Sequence, residues 1–219
     1  IGDKADEGGV INNISQVYTE KGDYQTALSY LILSLSISQQ LNDKQASGTV
    51  LHNIGNAYLA WGRYEAALWY FKQSLSYRQQ TGDKAGEGIT LKNISHTLEA
   101  QGDYETALSS FKQSLEVMRD IGDKNGEGTI LSSISALYSA QGNIEMSFSY
   151  LMQSMAIEEE ISNREGLGQF KTNIGNSYSE QDKSEIELSY LKQSLTIRRQ
   201  AGNKLGEAET LSKIGGYFY

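Results

Sequence analysis

The sequence repeats itself every 40 residues, and this period constrains the fold of the 219-residue chain more than any other feature. A glycine marker keeps this step at Gly22, Gly62, Gly102 and Gly142. An Asp-Lys marker keeps it at Asp3, Asp43, Asp83 and Asp123, and continues as Asn-Arg at Asn163 and Asn-Lys at Asn203. A fixed period between about 20 and 50 residues is typical of solenoids and propellers. A solenoid functions through an extended surface rather than through one buried pocket.

Each repeat is predicted to contain two helices of about 17 residues. In the second repeat, Asp43 provides an N-cap, Gly62 ends the first helix and Gly82 ends the second. The apolar residues between these signals follow helical spacing, at Val50, Leu51, Ile54, Ala57 and Tyr58 and then at Tyr64, Ala67, Leu68, Phe71, Leu75 and Tyr77. The sequence therefore predicts one all-α array. Its repeats are 3–42, 43–82, 83–122, 123–162 and 163–202, followed by a half repeat, 203–219.

Composition narrows the classes of partner. The net charge is −8, without a basic stripe, which argues against nucleic acid and against an anionic membrane surface. No apolar run approaches the ~18 residues that a membrane helix needs. The absence of cysteine excludes disulfides and is consistent with a reducing compartment, so we expect a cytoplasmic protein. No nucleophile–base set is suggested, and we expect neither an enzyme nor a cofactor.

The repeat resembles the tetratricopeptide repeat. The family pattern is present as Leu51-x2-Ile54-Gly55-x2-Tyr58, followed by Ala67-x3-Phe71. The period is longer than the usual ~34 residues, and is similar to that of the Pins/LGN adaptors and of bacterial repeat arrays. Kinesin light chains are a more distant likeness. The resemblance implies a right-handed superhelical α-α solenoid, with five helix pairs and a final single helix, whose first helices line a concave groove.

Two polar columns are expected on the groove side of the first helices. The asparagine column contains Asn13, Asn53, Asn93, Ser133, Asn173 and Lys213, and its neighbour contains Gln16, Asn56, His96, Ala136 and Asn176. Thr49, His52 and Lys92 lie on the same predicted side. An amide side chain pairs with a peptide backbone as donor and acceptor. In the families that the chain resembles, a similar ladder holds the main chain of an extended peptide. The alternative is that these amides tie adjacent first helices together.

Three other patterns allow a structural and a functional interpretation. His52 and His96 are expected to line the groove; with Glu99 as third ligand they would form a metal site, but we interpret them as polar lining without metal. The recurring glycines of the first helix, such as Gly48 and Gly88, predict a close approach of a neighbouring helix. The recurring serines and tyrosines of the second helix are interpreted as packing residues. The serine column is Ser34, Ser74, Ser114, Ser154 and Ser194, and the tyrosine column is Tyr30, Tyr70, Tyr150 and Tyr190.

The fifth repeat departs from the pattern. Asp182 replaces the turn glycine, Ser184 replaces a tyrosine, and Glu187 stands where alanine packs in the first three repeats. Lys171 stands where leucine packs in the second, third and fourth repeats. Because burying an unpaired polar group is costly, we expect this repeat to be the least stable.

The predicted function is that of an adaptor that binds an extended peptide or partner segment in its groove. The main alternative is a regulatory array that grips the effector domain of a larger signalling protein or protease. A third interpretation is an architectural spacer. We also expect end-to-end self-association through the open C-terminal half repeat, since terminal repeats need a polar cap.

Overall fold

The computed structural model describes residues 2–161, 168, 171–172, 184–200 and 202–216. Within them the chain forms ten α-helices. In the first compact unit, Ile1–Ile121, these are α1 (Gly2–Glu20), α2 (Tyr24–Gln40), α3 (Lys44–Ala60), α4 (Tyr64–Thr81), α5 (Lys84–Ala100) and α6 (Tyr104–Asp120). In the second, Gly122–Tyr219, they are α7 (Lys124–Ala140), α8 (Ile144–Glu160), α9 (Ser184–Gln200) and α10 (Lys204–Gly215). The predicted all-α repeat solenoid is confirmed.

The helices begin and end where the repeat signals predict. Asp43 accepts a hydrogen bond from the backbone N–H of Ala46 at 2.8 Å, and Asp83 caps α5 through Gly86 in the same way at 2.9 Å. Gly62 has a φ of +74°, the left-handed conformation that ends a helix without a Cβ penalty. Asn42 has a φ of +51° and takes the place that Gly82 has in the next repeat. Asparagine tolerates this region better than other residues with a side chain.

The recurring glycines and serines hold the two helices of each repeat together. In every repeat with described residues at these positions, the serine of the second helix donates its hydroxyl to the carbonyl oxygen of the glycine in the first helix. The Oγ···O distances are 2.9 Å for Ser34–Gly8, 2.7 Å for Ser74–Gly48, 2.7 Å for Ser114–Gly88, 2.9 Å for Ser154–Gly128 and 2.6 Å for Ser194–Gly168. The predicted close approach is confirmed, because a Cβ at Gly8 would lie 3.3 Å from Ile37 Cγ2 and a Cβ at Gly48 would lie 3.3 Å from Tyr77 Cβ on the neighbouring helix.

The apolar stripes form the core of each unit. In the first unit, Leu28 and Leu31 of α2 pack against Val50, Ile54 and Ala57 of α3. The next layer packs the fully buried Phe71 of α4 against Ile94 of α5. In the second unit, Ile130, Leu131, Ile134 and Leu137 of α7 are fully buried. Burying each of these side chains contributes on the order of 1.5–3 kcal/mol.

The tyrosine column packs within helix pairs, as predicted. Tyr30, Tyr70 and Tyr150 stack on a tyrosine of the preceding helix, with ring centroids 5.6, 5.4 and 5.6 Å apart for Tyr18–Tyr30, Tyr58–Tyr70 and Tyr138–Tyr150. About half of the fifth repeat, including Asp182, lies outside the described residues, as do the side chains of Ser184, Glu187 and Tyr190. Lys171 is half-buried, and its Nζ donates to Gln193 Oε1 at 3.0 Å, so its charge reaches the surface.

Helix α4 lacks the cap that its counterparts have. Asp23, Asp103 and Asn143 each accept a backbone N–H three residues ahead, whereas Arg63 makes no side-chain cap bond. A cation at a helix N-terminus is also unfavourable for the helix dipole. The N-terminus of α4 is therefore less stable than the N-termini of its counterparts.

Restoring the cap should stabilise the protein. We expect Arg63→Asp to raise the free energy of unfolding by about 1 kcal/mol, the typical value of an N-cap, less the lost contact of Arg63 with Trp61. Urea unfolding followed by circular dichroism measures the change. Asp103→Arg is the mirror control on α6 and should lower the free energy by a similar amount. If Arg63→Asp and Asp103→Arg changed the free energy of unfolding in the same direction, this explanation would be wrong.

Candidate functional site

The asparagine column lies between adjacent first helices. Asn53 on α3 donates its Nδ2 to Asn12 Oδ1 on α1 at 2.9 Å. Asn93 on α5 donates its Nδ2 to Asn56 Oδ1 on α3 at 2.8 Å. Asn53, Asn56 and Asn93 are half-buried, so part of each side chain still meets solvent. The column thus forms side-chain bridges from α1 to α3 and from α3 to α5.

His52 is placed differently from the expectation. It exposes 7% of its surface and is buried rather than lining an open groove. Its Nδ1 lies 3.1 Å from Thr90 Oγ1, and its Nε2 lies 3.3 Å from Asn93 Nδ2. An amide nitrogen can only donate, so Nε2 accepts and Nδ1 carries the proton of a neutral imidazole. The groove prediction for His52 is wrong because α5 covers this side of α3.

The electrostatics around His52 agree with a neutral ring. Burial, and to a smaller extent the positive charges of Arg78 and Lys92, lower the pKa of His52 from 6.5 to about 4. The ring also packs against Phe71, with centroids 5.3 Å apart. A protonated imidazole would lose its acceptor toward Asn93 and would bring a third positive charge into this region. His52 therefore acts as a neutral link in the bridge between α3 and α5.

A cavity of about 330 Å³ opens beside the bridge between α1 and α3. It brings together three of the predicted residues, Gln16, Asn53 and Asn56. The other lining residues are Ser15, Thr19, Glu20, Leu31 and Ala60. Amide, hydroxyl and carboxylate groups thus meet at an open, mostly uncharged concavity.

The other predicted residues contribute less to this cluster. Asn13 and Thr49 are exposed, and Thr49 donates to the carbonyl oxygen of Gln45 one turn earlier. Lys92 is half-buried. His96 Nδ1 lies 3.2 Å from Glu99 Oε2 on its own helix. Ser133, in the second unit, donates to the carbonyl oxygen of Thr129. Asn173 and Asn176 lie outside the described residues.

Two features of the site were missed by the sequence analysis. Asn12 is the partner of Asn53, and its amide type next to Asn13 is the signal that could have found it. An aromatic cluster around Trp61 was also missed. Its signal was the occurrence of tryptophan at positions 61 and 69, where the other repeats have Lys or Gln and Ser.

The fold and the polar bridges together define a helical repeat array with a polar surface along its first helices. The tetratricopeptide repeat model matches residues 9–80, 70–120 and 86–160, which together exceed half of the chain. The chain belongs to the tetratricopeptide repeat family. An array of this kind is a protein-interaction scaffold in the general sense, because it presents an extended surface. None of the described helices is long and apolar enough to cross a membrane.

Solved structures share this fold. BtubC (BKLC) from P. vanneervenii is 17% identical with a TM-score of 0.78, covering 89% of this chain and 80% of that chain. A signal transduction ATPase with numerous domains (STAND) from Pyrococcus horikoshii, which has a tetratricopeptide repeat sensor, is 17% identical with a TM-score of 0.82. That match covers 95% of this chain and 32% of the STAND protein.

A third similar structure contains a bound peptide. The Rap conjugation gene regulator of plasmid pLS20, in complex with the Phr* peptide, is 12% identical with a TM-score of 0.70. The match covers 90% of this chain and 54% of that chain. At these identities the likeness shows the fold alone. Curated protein sequences give no match.

Proposed function

We propose that this chain binds an extended peptide segment of a partner protein along the first helices of its repeats, and that Asn53 and Asn93 hold the peptide main chain. The role is binding rather than catalysis. The observation that carries the proposal is the orientation of the two amides. Each donates its Nδ2 to the neighbouring first helix, and no described residue donates to either Oδ1. A carbonyl oxygen in this position can accept a backbone N–H from a ligand.

The bridges also give the amides a fixed direction. A side chain held by its own hydrogen bond loses little further rotamer freedom when a ligand binds, so preorganisation favours affinity. The largely uncharged surroundings support an extended peptide recognised through its backbone, since Lys92 is the one lysine or arginine among the predicted groove residues of the central repeats. A peptide ligand is also supported by the structure of the Rap regulator, a protein with a similar fold that is in complex with the Phr* peptide.

Removing both amides tests the proposal. Peptides of about a dozen random residues, displayed as a library and selected on the wild-type protein, provide the ligands. We expect Asn53→Ala together with Asn93→Ala to weaken their binding about tenfold or more. Two lost hydrogen bonds are each worth about 0.5–1.5 kcal/mol, and 1.4 kcal/mol is a factor of about ten. Fluorescence polarisation of labelled peptides measures the affinity.

Asn12→Ala is the matched control. It breaks the Asn12–Asn53 bridge from the other side and keeps the amide of Asn53, so binding should fall much less than in the double variant. The opposite result is that the double variant binds as tightly as the wild type and loses, for each broken bridge, as much free energy of unfolding as Asn12→Ala does. That result would mean that the asparagine column only ties the helices together. The groove would then be recognised in some other way.

A second candidate function is favoured by one observation. The match to the STAND protein, whose tetratricopeptide repeats are described as a sensor, covers nearly all of this chain but about a third of that protein. The array would then hold a peptide or domain of its own larger chain. The flanking sequence of the native gene, followed by cross-linking of the full-length product, separates the two functions. Cross-links from α3 or α5 to a flanking domain would favour the sensor.

A further inference from the structure

A continuous aromatic cluster occupies the turn side of the first two repeats. It consists of Tyr24, Tyr58, Trp61, Trp69 and Tyr70, and we call it the aromatic edge. The ring of Trp61 stacks on Tyr24 at 5.8 Å and on Tyr58 at 6.4 Å between centroids. Tyr58 stacks on Tyr70 at 5.4 Å, and Trp69 meets Tyr70 edge to face at 4.7 Å. All five residues belong to the first compact unit.

The repeat does not require the two tryptophans. Trp61 stands in a column that otherwise contains Lys21, Gln101, Gln141 and Gln181, and Trp69 stands in a column of Ser29, Ser109, Ser149 and Ser189. Trp69 is 56% exposed, although tryptophan is usually highly buried. Both tryptophans of the chain therefore lie in one repeat, at positions where the same fold uses polar residues.

A third residue of this repeat also departs from the pattern at the same place. Arg63 occupies the cap position without capping, and its guanidinium lies 5.4 Å from the centroid of the Trp61 ring. Lys21, in the column of Trp61, lies 6.0 Å from the centroid of Tyr18. Within the described residues neither cation forms an ion pair. The helix cap present in the other described repeats is replaced here by a cation on an aromatic face, and this contact offsets only part of the lost cap.

The acidic residues nearby are engaged by the fold. Asp23 caps α2 through the N–H of Thr26, and Glu65 accepts a hydrogen bond from Gln101 Nε2. Both stand in or at the first turn of a helix, whose positive end offsets their charge. An open polar cavity of about 260 Å³ adjoins the edge, lined by Gly22, Asp23, Tyr24, Gln25 and Trp61. Both carboxylates keep their charge, but their hydrogen bonds are directed to the fold and not to Arg63. The surface left to a ligand is therefore a set of aromatic rings beside a guanidinium that has no ion pair within the described residues.

We propose that the aromatic edge is a second docking surface, which takes an acidic segment of a partner protein. Apolar side chains of the segment pack on the rings of the edge, one on Trp61 and another on Trp69, and a carboxylate next to the first pairs with Arg63. Trp, Tyr and Arg are the residues enriched at the centres of protein interfaces. A carboxylate forms a strong charge-assisted hydrogen bond with a guanidinium, and charge complementarity selects an acidic partner over a basic one. This surface is separate from the asparagine column and does not depend on the function proposed for it.

The two tryptophans make the edge directly observable. They are the only tryptophans in the chain, so the intrinsic emission of the protein reports on this surface. A random library of peptides without tryptophan, each about a dozen residues long, is the probe. We expect one class of selected peptides that is enriched in Asp and Glu next to apolar residues. Peptides of this class should shift the tryptophan emission on binding.

The decisive variant replaces Trp61, Arg63 and Trp69 by the residues of the third repeat, as W61Q, R63D and W69S together. Those residues already occupy the same columns as Gln101, Asp103 and Ser109, so the helix content should be retained. We expect binding of the acidic class to fall at least about thirtyfold. Arg63→Gln alone keeps Trp61 and Trp69, whose emission reports on binding, and should weaken the binding of the acidic class several-fold. The N53A/N93A variant should bind the acidic class as tightly as the wild type.

Three results would overturn the proposal. The first is that every selected peptide binds the triple variant as tightly as the wild type. The second is that the edge-dependent peptides are basic. The third is that a single-stranded thymidine oligonucleotide shifts the emission more strongly than the acidic class, since stacked rings beside an arginine also suit nucleobases and phosphate. Peptides that bind through the asparagine column should lose affinity in N53A/N93A and not in the triple variant. Failure of either proposal can therefore be recognised separately.

Discussion

Replacing Gly86 with alanine should lower the free energy of unfolding by about 2 kcal/mol. Arg78 is buried and donates its Nη1 to Asp83 Oδ2 at 2.7 Å. A Cβ on residue 86 would overlap both the guanidinium of Arg78 and the carboxylate of Asp83. Breaking a buried pair costs about 3–5 kcal/mol, but Asp83 is partly exposed and alanine favours the helix by up to about 1 kcal/mol. The remaining loss is measurable by urea unfolding.

A second substitution should suppress this loss. In the preceding repeat, the counterparts of Arg78 and Gly86 are Ser38 and Ala46, so a small residue at the first position accompanies alanine at the second. Arg78→Ser combined with Gly86→Ala reproduces this pair and should recover about 1 kcal/mol or more relative to the sum of the single changes. The control is Gly9→Ala, because a Cβ at Gly9 meets no atom within 4 Å. Strict additivity of Arg78→Ser and Gly86→Ala would show that the two positions are not coupled.

The contacts of Arg78 illustrate which features could be predicted from the sequence and which could not. Caps, turn glycines and apolar stripes are local signals, and they predicted the bounds of α3 and α4 to within a residue. The glycine column and the serine column each predicted close packing, but the hydrogen bond that joins them was not predicted. The Arg78–Asp83 pair depends on two columns compared across a repeat boundary, and Arg78 alone looks like a surface cation at the end of a helix.

The candidate site was harder to predict for a different reason. Position 52 is polar in the sequence, and its counterparts include Asn12 and Lys92, so the pattern placed His52 on the open side. In the structure α3 is in contact with α1, α2, α4 and α5, which leaves a narrower open strip than a single apolar stripe implies. Asn53 and Asn93 lie at the edge of this strip. An amide has the same chemistry as a bridge between helices and as a ligand for a peptide, so only a binding experiment separates the two roles.

The stability of the protein should also depend on the protonation of His52. The folded state lowers the pKa of this residue to about 4, whereas the unfolded chain has the ordinary value of about 6.5. The unfolded state therefore binds more protons between these values, and stability falls as the pH falls. The contribution of the neutral ring is fully present above about pH 6.5 and is lost progressively as the pH approaches 4. Between about pH 7.5 and pH 5 the expected loss is about 2 kcal/mol.

A variant without the imidazole isolates this effect. His52→Asn keeps a polar atom near Thr90 and removes the titrating group, so its free energy of unfolding should change by about 2 kcal/mol less than that of the wild type over the same pH range. Glu87 and Glu207 have pKa values lowered from 4.5, so their contributions are lost mainly below pH 5 and are common to both proteins. Urea unfolding of both proteins at several pH values measures the difference. Equal pH dependence in the two proteins would mean that α3 and α5 accept a charged ring. The neutral bridge from His52 to Asn93 would then not be part of what holds the two helices together.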